Sequence, residues 1–225
     1  MSTHFALPRV GHLEQLSHVR YLKEKPKRKI AFDLDNPFID ERRFKKHDRY
    51  DFYRDAKEAI LGDMSPSRGN GVTTHYFEDV DLAGNTVNKR SHTEILIFFN
   101  RAPIICHSKR QNTVKESTYG SDIVAMKNAV ELIEALRYKL CMFKVPIDGP
   151  TNIFCDDEAV NNNCSDPTSM LNKKHDSIAY HRNHEVVAAG TCRITKEDTD
   201  TNLSDLFTKL LSQIRREYLL NKFTY

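Results

Sequence analysis

Apolar positions along this chain of 225 residues change their rhythm near residue 71. Before that point Leu13, Leu16, Val19 and Leu22 fall at three-residue steps, predicting a helix from Gly11 to Lys25 that Pro26 stops. Asp33 to Arg54 has no period and reads as irregular. Met64 to Gly71 is dense in Pro, Gly and Ser and reads as a linker. Beyond it the pattern predicts strands over Val72 to Asp79, Glu94 to Phe99 and Ile104 to His107. A loop at Ala83-Gly84-Asn85 and a turn at Arg101-Ala102-Pro103 join them as an antiparallel meander. Ile123, Met126, Val130, Ile133, Leu136 and Leu140 then form one apolar stripe. They predict a long helix over about Ser117 to Met142, with Ser117 or Thr118 as N-cap and Lys144, Pro146 and Gly149 at its end. A fourth strand, Asn152 to Cys155, leads to a short helical piece from Glu158 and a polar loop, Asn161 to Asn172. A helix over His175 to Ala188 ends at Gly190. A fifth strand spans Thr191 to Thr195, and a last helix from Leu203 to about Leu220 carries Leu206, Leu210, Ile214 and Tyr218.

This order predicts an α/β fold with a mixed five-stranded sheet. Three antiparallel strands come first, then strands made parallel by helical crossovers. The fourth strand can return beside the first and parallel to it. Asp79 and Asp156, each at a strand's C-terminal end, then lie side by side where open α/β sheets place their ligands. The long helix brings Asp122 over the same edge. Clustered carboxylates repel or bind divalent cations, and oxygen donors suit Mg²⁺. Two ions about 3.5–4 Å apart form the recurring arrangement for phosphodiester hydrolysis. Asp205 is a further candidate for the set.

Composition narrows the setting. Charged residues make up 29% and apolar residues 39%, so the chain is globular but strongly solvated. The net charge of +3 is too small to demand a polyanion. Basic residues nevertheless crowd Lys23 to Lys29 and Arg42 to Lys46, runs that most often form a plain solvated surface. Five cysteines without a Cys-x-x-Cys pair are no disulfide framework and fit a reducing compartment. Met1 to Arg9 has no apolar h-region, and the longest apolar run, Ile95 to Phe99, is too short to span a bilayer. An intracellular location is expected. His175, His181 and His184 with Cys164 meet no standard zinc spacing and read as ordinary helix-surface residues.

Seven motifs occur in one order. They are Phe77-Glu78-Asp79-Val80-Asp81-Leu82-Ala83-Gly84-Asn85; Arg90-Ser91-His92-Thr93; Ser108-Lys109-Arg110-Gln111; Ser117-Thr118 through Asp122 to Ala125; Phe154-Cys155-Asp156-Asp157-Glu158-Ala159; Lys174-His175; and Leu203-Ser204-Asp205-Leu206-Phe207-Thr208-Lys209. In this order the sequence resembles the ribonuclease H domain of copia-type retrotransposon polyproteins. Residues 11–63 resemble the stretch that follows the reverse transcriptase in such polyproteins.

The resemblance implies an RNase H-like fold that cleaves the RNA strand of RNA–DNA hybrids with two Mg²⁺ ions, or Mn²⁺ in their place. Asp79, Asp122, Asp156 and Asp205 take the positions of the four catalytic, metal-binding acids. Lys109, Arg110, Lys173, Lys174 and His175 fall on segments expected to contact the phosphates of the hybrid. It also implies three regions: residues 1–70, a basic segment like the end of a reverse transcriptase region; 71–212, the RNase H-like domain; and 213–225, a C-terminal helical tail. The polymerase part of such a polyprotein is an implied partner. The cytoplasm, the nucleus or a virus-like particle is the implied location.

The sequence departs from the family pattern at several positions. Asp122 stands where glutamate is usual and is one methylene shorter. Leu82 and Cys106 replace larger aromatic residues, Glu94 replaces a small one, and Leu210 stands where many members have proline. The polymerase motif tyrosine-x-aspartate-aspartate is absent. The alternative to an active nuclease is therefore a catalytically degenerate fragment that only binds nucleic acid.

Overall fold

The computed structural model describes residues 29–33, 35–49, 51–58, 66–82, 89–115, 117–171, 174–209 and 211–224. The helix predicted at Gly11 to Lys25, the loop Ala83-Gly84-Asn85 and the start of the linker lie outside the described residues. Five strands form one sheet: β1 (Thr74–Asp81), β2 (His92–Phe99), β3 (Ala102–Arg110), β4 (Thr151–Cys155) and β5 (Cys192–Lys196). Their order is β3-β2-β1-β4-β5. The pairs β1–β2 and β2–β3 are antiparallel, and β1–β4 and β4–β5 are parallel.

The crossovers dictate this pairing. Helix α1 (Thr118–Met142) links β3 to β4, while α2 (Glu158–Ser165) and α3 (Ser177–Ala188) link β4 to β5. Such connections are long enough to return the chain to the same end of the sheet. Ser117 caps α1 by accepting the Gly120 N–H at 3.2 Å. The predicted stripe along α1 is inward: Ile123, Met126, Val130 and Ile133 are buried against Tyr76, Ile95, Ile97 and Ile153. On the opposite face Leu96 and Phe98 pack with Leu203, Leu219 and Phe223. Both faces of β2 are covered, so its sequence is an unbroken apolar run rather than an alternation.

Several boundaries differ from expectation: β2 and β3 are longer, and the helix Glu158–Ser165 runs into the expected loop from Asn161. Strand β1 continues two residues past Asp79 to Asp81. The turn after β2 centres on Asn100, with φ +51°, and Pro103 already belongs to β3. Asparagine tolerates that left-handed backbone, and its side chain accepts the Thr73 N–H at 2.9 Å. The single last helix is instead two, α4 (Asp205–Thr208) and α5 (Gln213–Leu220). Lys209 is extended, and Ser212 starts the second helix by accepting the Arg215 N–H. The apparent stripe misled because Ile214 is 86% exposed, whereas Leu219 and Phe223 are buried.

The described part of the N-terminal region lies along the domain. Ile30 bridges Thr224, and Phe44 is buried edge-on against Phe154. Arg43 pairs with Glu197 at 2.6 Å, and Arg137 of α1 pairs with Glu58. It then enters β1 through Gly71. A Cβ there would fall 2.0 Å from the Asp148 carboxylate, so only glycine fits without a shift.

Candidate metal centre

At β1 the sheet reverses its winding: β2 pairs on one side and β4 on the other. The C-terminal ends of β1 and β4 open there. Asp79 faces that opening from β1, and Asp156 follows the last residue of β4. Asp205 arrives from the other layer in the first turn of α4. Asp79, Asp156 and Asp205 each offer an oxygen within 4.8 Å of the others, and they are the group so arranged among the described residues.

The placement of Asp205 depends on a residue that carried no warning in the sequence. Asn202 is fully buried and donates to the Glu78 carbonyl at 3.0 Å. Its own carbonyl oxygen accepts from the Ser204 hydroxyl at 2.6 Å and from the Ser204 N–H. This tie fixes the turn before α4 against β1 and so sets Asp205 beside Asp79. A polar Asn-Leu-Ser-Asp run reads only as a helix start.

Two cations hold the trio. The Lys209 ammonium lies 2.6 Å from Asp205 Oδ1, 3.3 Å from Asp79 Oδ2 and 3.7 Å from Asp156 Oδ2. Arg215 binds the second Asp205 oxygen and also donates to the Thr199 carbonyl. Burial pushes the Asp205 carboxyl up to about 6 against the Lys209 hydrogen bond, with the Asp79 charge adding to the rise. Burial and then the Asp79 charge also raise Asp156, again opposed by Lys209. Burial alone would lower Lys209; the Asp205 hydrogen bond and the surrounding charges outweigh it and raise it.

Asp122 lies outside this trio. Burial pushes its carboxyl up to about 8, helped by the charge of Asp157, a hydrogen bond with Asp157, and the charges of Asp156 and Asp79. It therefore stands within the field of the site, in the first turns of α1, but its nearest acid is Asp157. Asp157 is itself engaged as the N-cap of α2, accepting the Val160 N–H at 2.8 Å.

Two further acids border the site. Glu78 points to the α1 side of β1, is 1% exposed, and has no hydrogen-bond partner of ordinary geometry at either oxygen. Burial first, then the Asp122 charge, drives its carboxyl well above the usual range. Glu94 sits across from Asp79 in the β1–β2 register and is 2% exposed. One oxygen accepts from the Ser108 hydroxyl at 2.5 Å, and the other has no partner. Burial, then the charges of Asp79 and Asp81, push it up to about 8 against that hydrogen bond. The departure at position 94 thus adds a buried acid next to Asp79.

Of the candidate phosphate contacts, Lys109 and Arg110 are exposed at the end of β3. The register runs Asp81, His92, Arg110 across three strands, so Arg110 shares the face of Asp79, two strands across and two residues along, about 12 Å away. Lys174 is exposed in the 3-10 turn before α3. Lys173 and the His175 side chain lie outside the described residues. The histidines near α3 are otherwise occupied: His181 meets the Tyr53 hydroxyl, and His184 meets Ser169. Cys164 is approached by Asn183.

The donor set fits hard divalent cations. All donors are carboxylate oxygens, converging from three elements, and an ammonium already stands among them as a cation.

Strand order and helical crossovers give the expected mixed five-stranded α/β sheet, three antiparallel strands and then parallel ones. Sequence relatives are consistent with the motifs. The chain is 26% identical over 147 residues to the retrovirus-related Pol polyprotein from transposon RE2 of Arabidopsis thaliana, covering 65% of this chain and 10% of that protein. It is 26% identical over 159 residues to the one from transposon TNT 1-94 of Nicotiana tabacum, covering 69% of this chain and 12% of that protein. The expected likeness to copia-type polyproteins is thereby borne out. The chain spans about a tenth of the length of the curated relatives it matches. No protein-family model matches it. Among solved structures, the N-terminal RNase H domain of rv2228c from Mycobacterium tuberculosis aligns with 67% of this chain and 98% of that one, at TM-score 0.44 and 8% identity. RNase H1 from Halobacterium salinarum aligns with 60% and 91%, at TM-score 0.43 and 10% identity. Among the described residues no helix is long and apolar enough to cross a membrane.

Proposed function

We propose that this chain is a metal-dependent ribonuclease H that hydrolyses the RNA strand of RNA–DNA hybrids internally. The observation that carries the reading is the convergence of Asp79, Asp156 and Asp205 within 4.8 Å at the switch point of the sheet. Asp79 and Asp156 would hold Mg²⁺ or Mn²⁺, with Asp205 as a third ligand. When bound, such ions supply activation of water and stabilisation of the leaving 3′-oxygen. Arg215 holds Asp205 in one orientation. Lys109, Arg110, Lys173, Lys174 and His175 would position the duplex through its phosphates, contacts that carry no sequence information. The 2′-hydroxyl distinguishes the strand to be cut. The polymerase part of a retrotransposon polyprotein is the partner this reading supplies, and a virus-like particle is one setting for it.

A second reading is a degenerate domain that binds hybrid without turnover. The position of Asp122 favours it, since this acid hydrogen-bonds with Asp157 and is not gathered into the trio. A hybrid-cleavage assay with a metal titration decides between them. Metal-dependent cutting of the RNA strand supports the nuclease. Salt-sensitive binding with no cutting at any metal concentration supports the second reading. If Asp122→Glu then gains cutting by about tenfold or more, the missing methylene is the defect.

A further inference from the structure

We propose that Lys209 is a built-in counter-ion of the metal centre. Its ammonium holds the three acids together when no divalent ion is bound, and a divalent ion must displace it to enter. The inference rests on the reading of the trio as a metal site. Three carboxylates within 4.8 Å repel strongly unless a cation stands between them. Lys209 lies 2.6 Å from Asp205 Oδ1, 3.3 and 3.5 Å from the two Asp79 oxygens and 3.7 Å from Asp156 Oδ2, and so takes the position of a shared cation.

The two cations at Asp205 are not equivalent. Arg215 Nη2 donates to both Asp205 Oδ2 and the Thr199 carbonyl, and its Nη1 lies 3.6 Å from Asp200, so it is fixed. It takes Asp205 Oδ2 and leaves Oδ1 to Lys209. Lys209 is reached from the end of the four-residue helix α4, four positions after Asp205. Its side chain is 37% exposed, and a flexible four-carbon stem lets its head swing to solvent. The oxygen it vacates, Asp205 Oδ1, is the one Arg215 leaves free. Arg215 thus orients Asp205, while Lys209 exchanges.

The test is metal affinity of the full chain without nucleic acid, by calorimetry with Mn²⁺ and by the melting shift Mn²⁺ produces. Lys209→Gln is expected to bind Mn²⁺ roughly tenfold or more tightly than the parent, because the competing charge is gone. Its metal-free form melts lower and regains more on adding metal. Lys209→Arg keeps the charge in a fork that grips carboxylates in pairs, so its Mn²⁺ affinity falls several-fold. This variant covers the case in which the glutamine protein fails to fold. Opposite shifts in the two variants support the counter-ion. Binding that Asp79→Asn abolishes but that either Lys209 variant leaves at the parental affinity overturns it, while leaving the metal centre standing. No Mn²⁺ binding dependent on Asp79 in any of these proteins overturns both.

Discussion

Around β1 the protein handles acidic side chains in two different ways. Asp79, Asp156 and Asp205 are held by the cations Lys209 and Arg215 and lie at the open edge of the sheet. Glu78, Asp122 and Glu94 flank the same strand, and what raises them first is burial. No cation figures among the causes acting on these three. At Asp156 and Asp205 burial also raises the carboxyl, but Lys209 opposes the rise; at Glu78, Asp122 and Glu94 burial acts with neighbouring negative charges. The difference teaches that an acid beside this site is not thereby part of it. What separates the groups is whether a positive partner, protein or metal, can reach them.

The largest test of the contrast is a pair of isosteric substitutions at adjacent positions of one strand. Asp79→Asn removes a ligand from the charged group, and cutting of hybrid is expected to fall by about 10²–10³-fold or more. Its metal-free form should melt no lower than the parent, because one repelling charge is gone. Glu78→Gln replaces a carboxyl that burial drives toward its uncharged form and that lies outside the trio, and cutting should stay within about threefold. Steady-state kinetics on one hybrid measures both. A Glu78→Gln protein as inactive as Asp79→Asn would dissolve the distinction between the groups.

A second test separates position from charge. Asn202→Ala leaves every acid and cation in place but removes the bond that ties the α4 turn to the Glu78 carbonyl. Losing a buried, doubly used amide costs about 1–3 kcal/mol. The melting temperature should fall accordingly, and metal affinity should weaken because Asp205 loses its registration against Asp79. Retention of full metal affinity in a destabilised Asn202→Ala protein would mean that Lys209 and Arg215 alone position Asp205.

The sequence made the charged group more legible than the uncharged one, for a physical reason. Asp79 and Asp156 follow from strand ends and crossover order, both local signals. The length and stripe of α1 were equally local, set by Ser117 and by the spacing from Ile123 to Leu140. Asp205 needed the motif resemblance, because its approach to Asp79 depends on Asn202, a tertiary contact 124 residues from its partner. The counter-ion position of Lys209 was hidden inside an expected continuous helix. There the i, i+4 spacing from Asp205 looks like an ordinary surface pair. The break at Lys209, which ends α4, follows from packing of Leu219 and Phe223 on the sheet rather than from periodicity. The buried state of Glu78 and Glu94 was illegible because burial on a two-faced sheet is decided by what covers each face.

The smallest expected effect concerns pH and reads the uncharged group directly. Asp122 and Glu94 are each raised to about 8 from ordinary values of 3.8 and 4.5. A carboxyl raised on folding binds its proton more tightly in the folded chain, so its stabilising contribution is full below the unfolded value. It is lost as pH rises through the folded value. Metal-free protein should therefore lose stability progressively from about pH 5 to about pH 9. Glu94→Gln carries no proton to lose, and the fall should be shallower in that variant. Asp205, raised only to about 6, has given up its share by neutral pH, so the slope above pH 7 belongs to the uncharged group. Denaturant melts at several pH values measure it. A parent protein as stable at pH 9 as at pH 6 would mean that Asp122 and Glu94 find cations in solution and belong with the charged trio.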